Sequence, residues 1–323
     1  MNENQRKLKP YHGIILLIIC ALELFVISPF LSRYMGLYGT FLSEVILLGL
    51  SVLTVVVSGS RMKDAFPLRA PTAAKTVGTL LLWFGTFLVV MILTLIITAL
   101  FPQQMTATSA GLGNAFTSVP FTLSLFIVAV TPAICEEAVF RGVVVHSFSS
   151  MNKWVIIVLT GLIFGAFHGS IWRFVPTAFL GMVLAYVVLE TENMLYNGLF
   201  HCVNNAAPII LLYAMQPLYE SMGVYSGEYG SSGMVMDTAA GFSAVGLYMI
   251  IGAMAPFCLY IGNYLLHRGN PGYREKLFPS NKPGVIVLLI LLTAALFVGG
   301  MIVMLAAILQ APDVTNEIIR QVM

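Results

Sequence analysis

Apolar residues run along this chain in long uninterrupted blocks, separated by short polar stretches rich in Gly, Pro, Ser and charged side chains. Nine blocks stand out, at about 12–32, 36–59, 77–101, 118–148, 154–170, 174–190, 194–216, 239–266 and 283–310. Each is near the ~20 residues that a helix needs to cross the hydrocarbon core of a bilayer. A segment in lipid has to satisfy its own backbone hydrogen bonds, so helices are the expected form. The pattern predicts an all-α protein, a polytopic transmembrane helical bundle of about 8–9 spans. The fourth block is the longest and is polar in its second half, so part of it is expected to project from the membrane. The first block follows Arg6, Lys7 and Lys9, as a signal peptide would. It is as long as a full span, however, and Ser32-Arg33-Tyr34 offers no small-residue cleavage site. An uncleaved first span is predicted.

Composition sharpens that picture. Of the 323 residues, 59% are hydrophobic and 9% charged, against about 25% charged in a soluble domain. A net charge of +2 without a basic cluster gives no reason to expect a nucleic-acid partner. The four cysteines fall in apolar runs and form no CxxC pair, so neither a disulfide framework nor a zinc knuckle is expected. With the N-terminus in the cytoplasm and nine alternating spans, inside segments hold twelve Lys and Arg and outside segments hold three, Arg33, Arg173 and Arg320. That bias predicts an N-in, C-out topology. The loop 217–238 then lies outside and is acidic, with Glu220, Glu228 and Asp237. The chain divides into N-terminal spans (1–117), a central helical segment (118–216) and C-terminal spans (217–323), with no soluble domain and no internal repeat.

Intramembrane charges are costly and therefore invite a functional reading. The fourth block carries Glu136-Glu137-xxx-Arg141, the fifth ends in Phe164-xxx-His168, and the seventh carries His201-xxx-Asn205. Residues four apart stack on one helical face. Glu137 and Arg141 are thus expected to pair. Glu136 is rotated by about 100° from Glu137, points elsewhere and is left free for chemistry. Pro132, four before Glu136, cannot donate its N–H, and should kink the helix and free a carbonyl near the site. Phe164 is expected to wall the pocket beside His168. A carboxylate with a histidine can activate water. A second histidine and an asparagine amide can donate to a developing oxyanion. Glu136, His168 and His201 would also make a His₂Glu zinc site with an open fourth position; the reading leans to metal-independent catalysis and leaves zinc open. One tension follows from the spacing: His168 lies some fourteen residues into its span and His201 about seven into its own, a depth mismatch of roughly 10 Å.

These three motifs resemble the CPBP family (CAAX proteases and bacteriocin-processing enzymes, also called the Abi family). That family shows EExxxR, FxxxH and HxxxN in this order on separate membrane helices. The resemblance covers about 118–216, which would be the catalytic helical core. It implies an intramembrane endopeptidase in which Glu136 and His168 activate water while His201 and Asn205 form the oxyanion hole. Glu137, Arg141 and Phe164 are supporting residues. The family has often been labelled metallopeptidase. The implied partners are a membrane-associated protein or peptide substrate and the lipid bilayer, with no nucleic acid. Bacterial members dominate the family, so the implied location is a bacterial cell membrane, and substrates extend beyond CAAX tails to leader peptides and membrane-anchored regulators. The family's eight-helix core leaves the last block, 283–310, as an addition.

Other readings of the same residues remain. Polar side chains also glue membrane helices together, and a non-enzymatic membrane scaffold or bacteriocin-immunity protein could use the same fold. A transporter built on Glu23 and Glu44 lacks the paired broken helices of an internal repeat; each of these acids could instead make an interhelical hydrogen bond in its protonated form. Cys135 and Cys202 are expected to be packing residues, and His146 an interfacial one. No HExxH or GxGD motif occurs. A GxSG string at Gly230-Ser231-Ser232-Gly233 lies in the polar outer loop, where Gly and Ser usually mark turns.

Overall fold

The apolar blocks are helices, and no strand occurs among the described residues of the computed structural model, which are 8–221, 238–270, 272, 273 and 276–310. We number the principal helices α1 (Pro10–Met35), α2 (Leu37–Ser58), α3 (Ala73–Leu100), α4 (Phe121–Ser147), α5 (Lys153–Phe167), α6 (Ile171–Thr191), α7 (Met194–Ser221), α8 (Thr238–Gly252), α9 (Ala255–His267) and α10 (Pro283–Gln310). Seven of them are long and apolar enough to cross a bilayer, and α8 with α9, bent by 42°, makes an eighth if the pair is one span. The chain is an integral, multi-pass membrane protein. The ninth predicted crossing, 154–170, is corrected: α5 has 15 residues, short of the ~20 that a span needs.

The chain forms two compact units, Met1–Thr79 with Gly111–Ser226, and Leu80–Ala110 with Gly227–Met323. The whole of 118–216 lies in the first. There α4 is the central helix and packs against α1, α2, α5, α6 and α7. Its Val139, Phe140, Val143 and Val144 are buried in one apolar cluster with Leu16, Leu47 and Phe164. Such burial is unusual for a membrane helix, and it sets α4 apart from the lipid-facing spans.

The α5–α6 hairpin shows why small residues matter here. Gly161 and Gly165 are four apart on one face of α5. A Cβ on Gly161 would lie 2.8 Å from the Ala178 carbonyl oxygen, and one on Gly165 would lie 2.9 Å from the Phe174 carbonyl oxygen. Close backbone approach through small-xxx-small positions is a standard way to pack helices without a hydrophobic driving force. Local signals set the ends of α5. The Asn152 side chain accepts from the Trp154 N–H at 2.9 Å and caps its start. Gly169, with φ at +62°, takes the left-handed turn that stops it. At the far end of α6, Glu192 is left-handed (φ +46°) and pairs with Arg69 at 2.9 Å. The Asn193 side chain then brackets the Arg69 backbone, accepting from its N–H at 3.2 Å and donating to its carbonyl at 2.8 Å.

In the second unit, α8 packs along α10. A Cβ on Gly300 would lie 2.6 Å from the Gly246 carbonyl oxygen, so the two backbones nearly touch. Thr293 donates to the Ala253 carbonyl at 3.1 Å, at the break between α8 and α9.

Candidate active site

The site begins with a fault in α4. Proline at 132 has no N–H, so the carbonyl four residues back, that of Val128, loses its helical partner. Residues Phe126–Val130 widen into a π-helical turn, and Thr131 donates its hydroxyl to the Phe126 carbonyl at 2.9 Å. The Val128 carbonyl is taken by the Asn205 side-chain amide of α7 at 3.1 Å. The expected break in the hydrogen-bond ladder is therefore present as a π-helical turn, and the Val128 carbonyl receives one N–H of Asn205. An amide carries two donor hydrogens, so Asn205 keeps one for another acceptor. A second π-helical segment, Ala138–Val144, follows Glu137; π-turns inside α-helices occur frequently at functional sites. Its loosened carbonyls at Arg141 and Gly142 accept from His146 Nδ1 at 2.9 and 2.8 Å.

Glu137 and Arg141 pair as the four-residue spacing predicts, Nη1 to Oε1 at 3.0 Å, with both side chains 1% exposed. Arg141 also donates Nη2 to the Gly181 carbonyl of α6 at 3.0 Å, and its guanidinium lies 4.5 Å from the centroid of the Phe164 ring. A fully buried cation is thus met by a carboxylate, a carbonyl and a ring face. Glu137 does more than neutralise Arg141. Its Oε1 also accepts from His201 Nδ1 at 2.8 Å. A carboxylate held by arginine can only accept, so Nδ1 of His201 is the protonated nitrogen. Nε2 is left for other work, and faces Glu136 Oε2 at 3.8 Å.

His168 caps the end of α5 in the same manner. Its Nδ1 meets the Phe164 carbonyl at 2.8 Å. A carbonyl accepts, so this Nδ1 donates and Nε2 carries the lone pair. The Phe164 ring is 4.8 Å from the His168 ring and 5.9 Å from that of His201, and it is fully buried. Phe164 therefore walls both imidazoles, not only His168 as the sequence suggests. Despite the expected depth mismatch, both histidine rings lie beside the one Phe164 ring. A 15-residue helix is about 22 Å long, and it ends at His168, beside the eighth residue of α7.

Glu136 is set apart from the Glu137–Arg141 pair, as helical rotation requires, and its side chain is 19% exposed. It interacts electrostatically with His168, Arg141 and Arg173. Two of its neighbours escape the motif reading. Arg173 counts in the sequence as a loop charge, yet it lies in the first turn of α6, five residues after His168, within range of both Glu136 and His168. Glu44 of α2 lies within electrostatic range of Glu136. Its signal in the sequence is a lone acid inside an apolar block, with nothing to say which helix it faces. Cys135 is buried and Cys202 half-buried, and both are free thiols.

Among the described residues, no three His, Cys, Asp or Glu side chains are grouped closely enough to hold a metal ion. The set Glu136, His168 and His201 does not fit a zinc ion as it stands, and no step below runs through one. An apolar cavity of about 360 Å³ opens between α2, α4, α7 and the segment after α2. Leu48, Val52, Phe66, Leu68, Ile134 and Leu199 line it, with Glu137 on its wall. The GxSG string falls in 222–237, outside the described residues, as does most of the acidic segment 217–238.

Residues 118–207 match the family model described as type II CAAX prenyl endopeptidase, Rce1-like. Neither the curated proteins nor the solved structures give a match to the chain. The matched segment carries all three motifs.

Proposed function

From the match of residues 118–207 to the type II CAAX prenyl endopeptidase, Rce1-like, family model, we propose that this chain hydrolyses a peptide bond of a membrane-tethered substrate, with Glu136 and His168 activating water and His201 and Asn205 stabilising the oxyanion. One observation carries this reading. Both histidines have Nδ1 engaged by an acceptor, Glu137 for His201 and the Phe164 carbonyl for His168. Their Nε2 atoms are therefore the chemically available nitrogens on either side of Glu136. A water between Glu136 and His168 donates one hydrogen to the carboxylate and the other to the bare Nε2, which aims an oxygen lone pair at a substrate carbonyl. Attack forms the C–O bond, and the water proton passes to Glu136. Glu136 then delivers that proton to the departing amine nitrogen as the C–N bond breaks. The negative oxygen of the intermediate needs donors. Asn205 offers its remaining amide hydrogen. His201, whose Nδ1 is held by Glu137, can add Nε2–H as a second donor when both ring nitrogens carry a proton.

The apolar cavity beside Glu137 suits an apolar part of the substrate, such as its membrane anchor, because its walls offer almost no polar partner. The description of the matching family model speaks of CAAX prenyl substrates; for this chain the proposal is the broader class of peptides tethered in or beside the bilayer.

The decisive experiment is cleavage of a co-expressed membrane peptide by wild type and by Glu136→Gln, with and without a strong zinc chelator. Wild type is expected to cleave and Glu136→Gln to lose at least ~10³-fold in rate, in the upper range for a lost general base; the chelator is expected to change nothing. Full activity in Glu136→Gln would sink the proposal and favour a scaffold. Loss of activity with chelator and its return with zinc would replace the water-activation step with a metal one.

A further inference from the structure

The apolar cavity in the first unit has one open side and one stopped end. Along α4 its lining runs from Ala133 to Ala138 and includes Glu137, whose Oε1 holds His201 at 2.8 Å. Ile134 of α4 and Leu195 of α7 also line it and are 55% and 43% exposed, so it opens on faces that two spans present to lipid. Toward the later turns of α4 it is stopped by Phe66. The Phe66 ring lies over Gly142, five residues after Glu137 and roughly 7 Å further along the helix. A Cβ on Gly142 would overlap the edge of that ring, so only glycine gives the ring its seat. The segment that carries Phe66 is tied down on its other side. The Pro67 carbonyl accepts from the Met194 N–H at 2.8 Å, the Asn193 side chain brackets the Arg69 backbone, and the Tyr196 hydroxyl accepts from the Thr72 N–H at 2.8 Å. These partners lie at or just before the start of α7, the helix that carries His201. One helix therefore spaces the stopper from the site.

Size and lining fix the occupant. A volume of about 360 Å³ lies in the ~300–1,000 Å³ range of small-ligand pockets; it suits a single chain and not a helix ~10–12 Å across. Glu137 is the charged residue in a wall otherwise built of apolar side chains and glycine, so a polar occupant would lose its hydrogen bonds on entry. A hydrocarbon chain attached to the substrate meets both demands and can enter from the bilayer side. We propose that Phe66 is a specificity-determining residue, which sets the longest hydrocarbon chain that a tethered substrate can lodge in this cavity while its peptide reaches Glu136. The effect on rate rests on the proposed hydrolysis at Glu136; the seating of the chain against Phe66 does not.

The test uses the full chain in lipid vesicles and one peptide that carries saturated hydrocarbon chains of increasing length on the same residue. For wild type, kcat/KM is expected to rise with chain length and then fall where the chain outgrows the cavity. Phe66→Ala should move that turning point to longer chains. It should raise kcat/KM for the first chain too long for wild type by on the order of tenfold, the effect of about two further methylenes gaining apolar surroundings. Val52→Phe, which fills the cavity from α2, should move the turning point to shorter chains. The inference is overturned if wild type shows no turning point, or if neither substitution moves it. If Phe66→Ala does not fold, Phe66→Leu and Val52→Phe decide. A second readout needs no catalysis. In the Glu136→Gln protein, a diazirine at the end of the chain should crosslink to Val52, Phe66 or Leu68 once the chain is long enough to reach them. Crosslinks confined to other lipid-facing helices would also overturn the inference. Crosslinks at these residues without cleavage of any peptide by wild type would mean that the hydrolase reading fails and the seating of the chain stands. Cleavage that depends on Glu136 but ignores Phe66 and Val52 would mean the reverse.

Discussion

The fourth span and the last are almost the same length, 27 and 28 residues, yet 61% of the most apolar stretch of α4 is buried inside the protein against 11% for α10. The more polar helix is the interior one. In water the ranking would be reversed. In lipid, tails are as apolar as leucine, so hydrophobicity draws no helix inward, and polar side chains are the groups that must find protein partners. α4 carries Glu136, Glu137 and Arg141 and is surrounded. α10 carries no charge between Pro283 and Gln310 and touches its unit mainly along the stripe that includes Gly300. Burial in this protein therefore follows the need to satisfy polar groups, and the helix with the greatest need became the scaffold of the site.

This contrast can be broken experimentally, beginning with the largest effect. Arg141→Met leaves Glu137 buried beside His201 without its cation; removing one partner of a buried pair typically costs ~3–5 kcal/mol. Thermal unfolding in detergent should show this loss, and the double variant Glu137→Gln with Arg141→Met should recover part of it. A double variant as unstable as the single one would mean that Arg141 acts through packing on Phe164 and not through charge.

Asn205→Ala removes an oxyanion donor and orphans the Val128 carbonyl. A fall of ~10²–10³ in kcat is expected if the amide reaches the oxyanion. If the carbonyl of Val128 is its only partner, thermal stability should drop while kcat holds.

Gly165→Ala comes next. Its Cβ would sit 2.8 Å from Ala178 Cβ and 3.0 Å from Ala178 Cα, contacts that backbone cannot easily yield. Overpacking of this kind costs ~1–3 kcal/mol, and the displaced α5 should also misplace His168. A variant with wild-type stability and rate would show that the hairpin is looser than its geometry indicates.

The smallest effect belongs to α10. Leu305→Ala, at a side chain 58% exposed, should change stability by less than ~0.5 kcal/mol, the range for substitutions away from special features. A larger loss would reveal a partner on that face and would weaken the contrast with α4.

How much of this was legible beforehand depends on the distance over which each feature is set. The Glu137–Arg141 pair was readable because both residues sit on one turn of one helix. The separation of Glu136 from that pair followed from the same rotation. The carbonyl freed by Pro132 was readable for the same reason, but its acceptance by Asn205, 77 residues away, was not. The nine apolar blocks foretold the helical class, whereas the shortness of α5 hid in an apolar run that continues past His168. Gly169 marks the stop, and its meaning depends on a left-handed φ that composition alone does not reveal.

By itself, then, the sequence determined the solvent in which this protein lives, the helical class, and local pairings such as Glu137 with Arg141, because 3.6 residues per turn is a local rule that needs no tertiary knowledge. The tertiary structure alone decided that Glu137 orients His201 across 64 positions and that Glu44 and Arg173 come within electrostatic range of Glu136. Those contacts depend on which faces of separate helices meet, and in a membrane the bland apolar surface of each helix leaves that choice to close packing and to the few polar groups seeking partners.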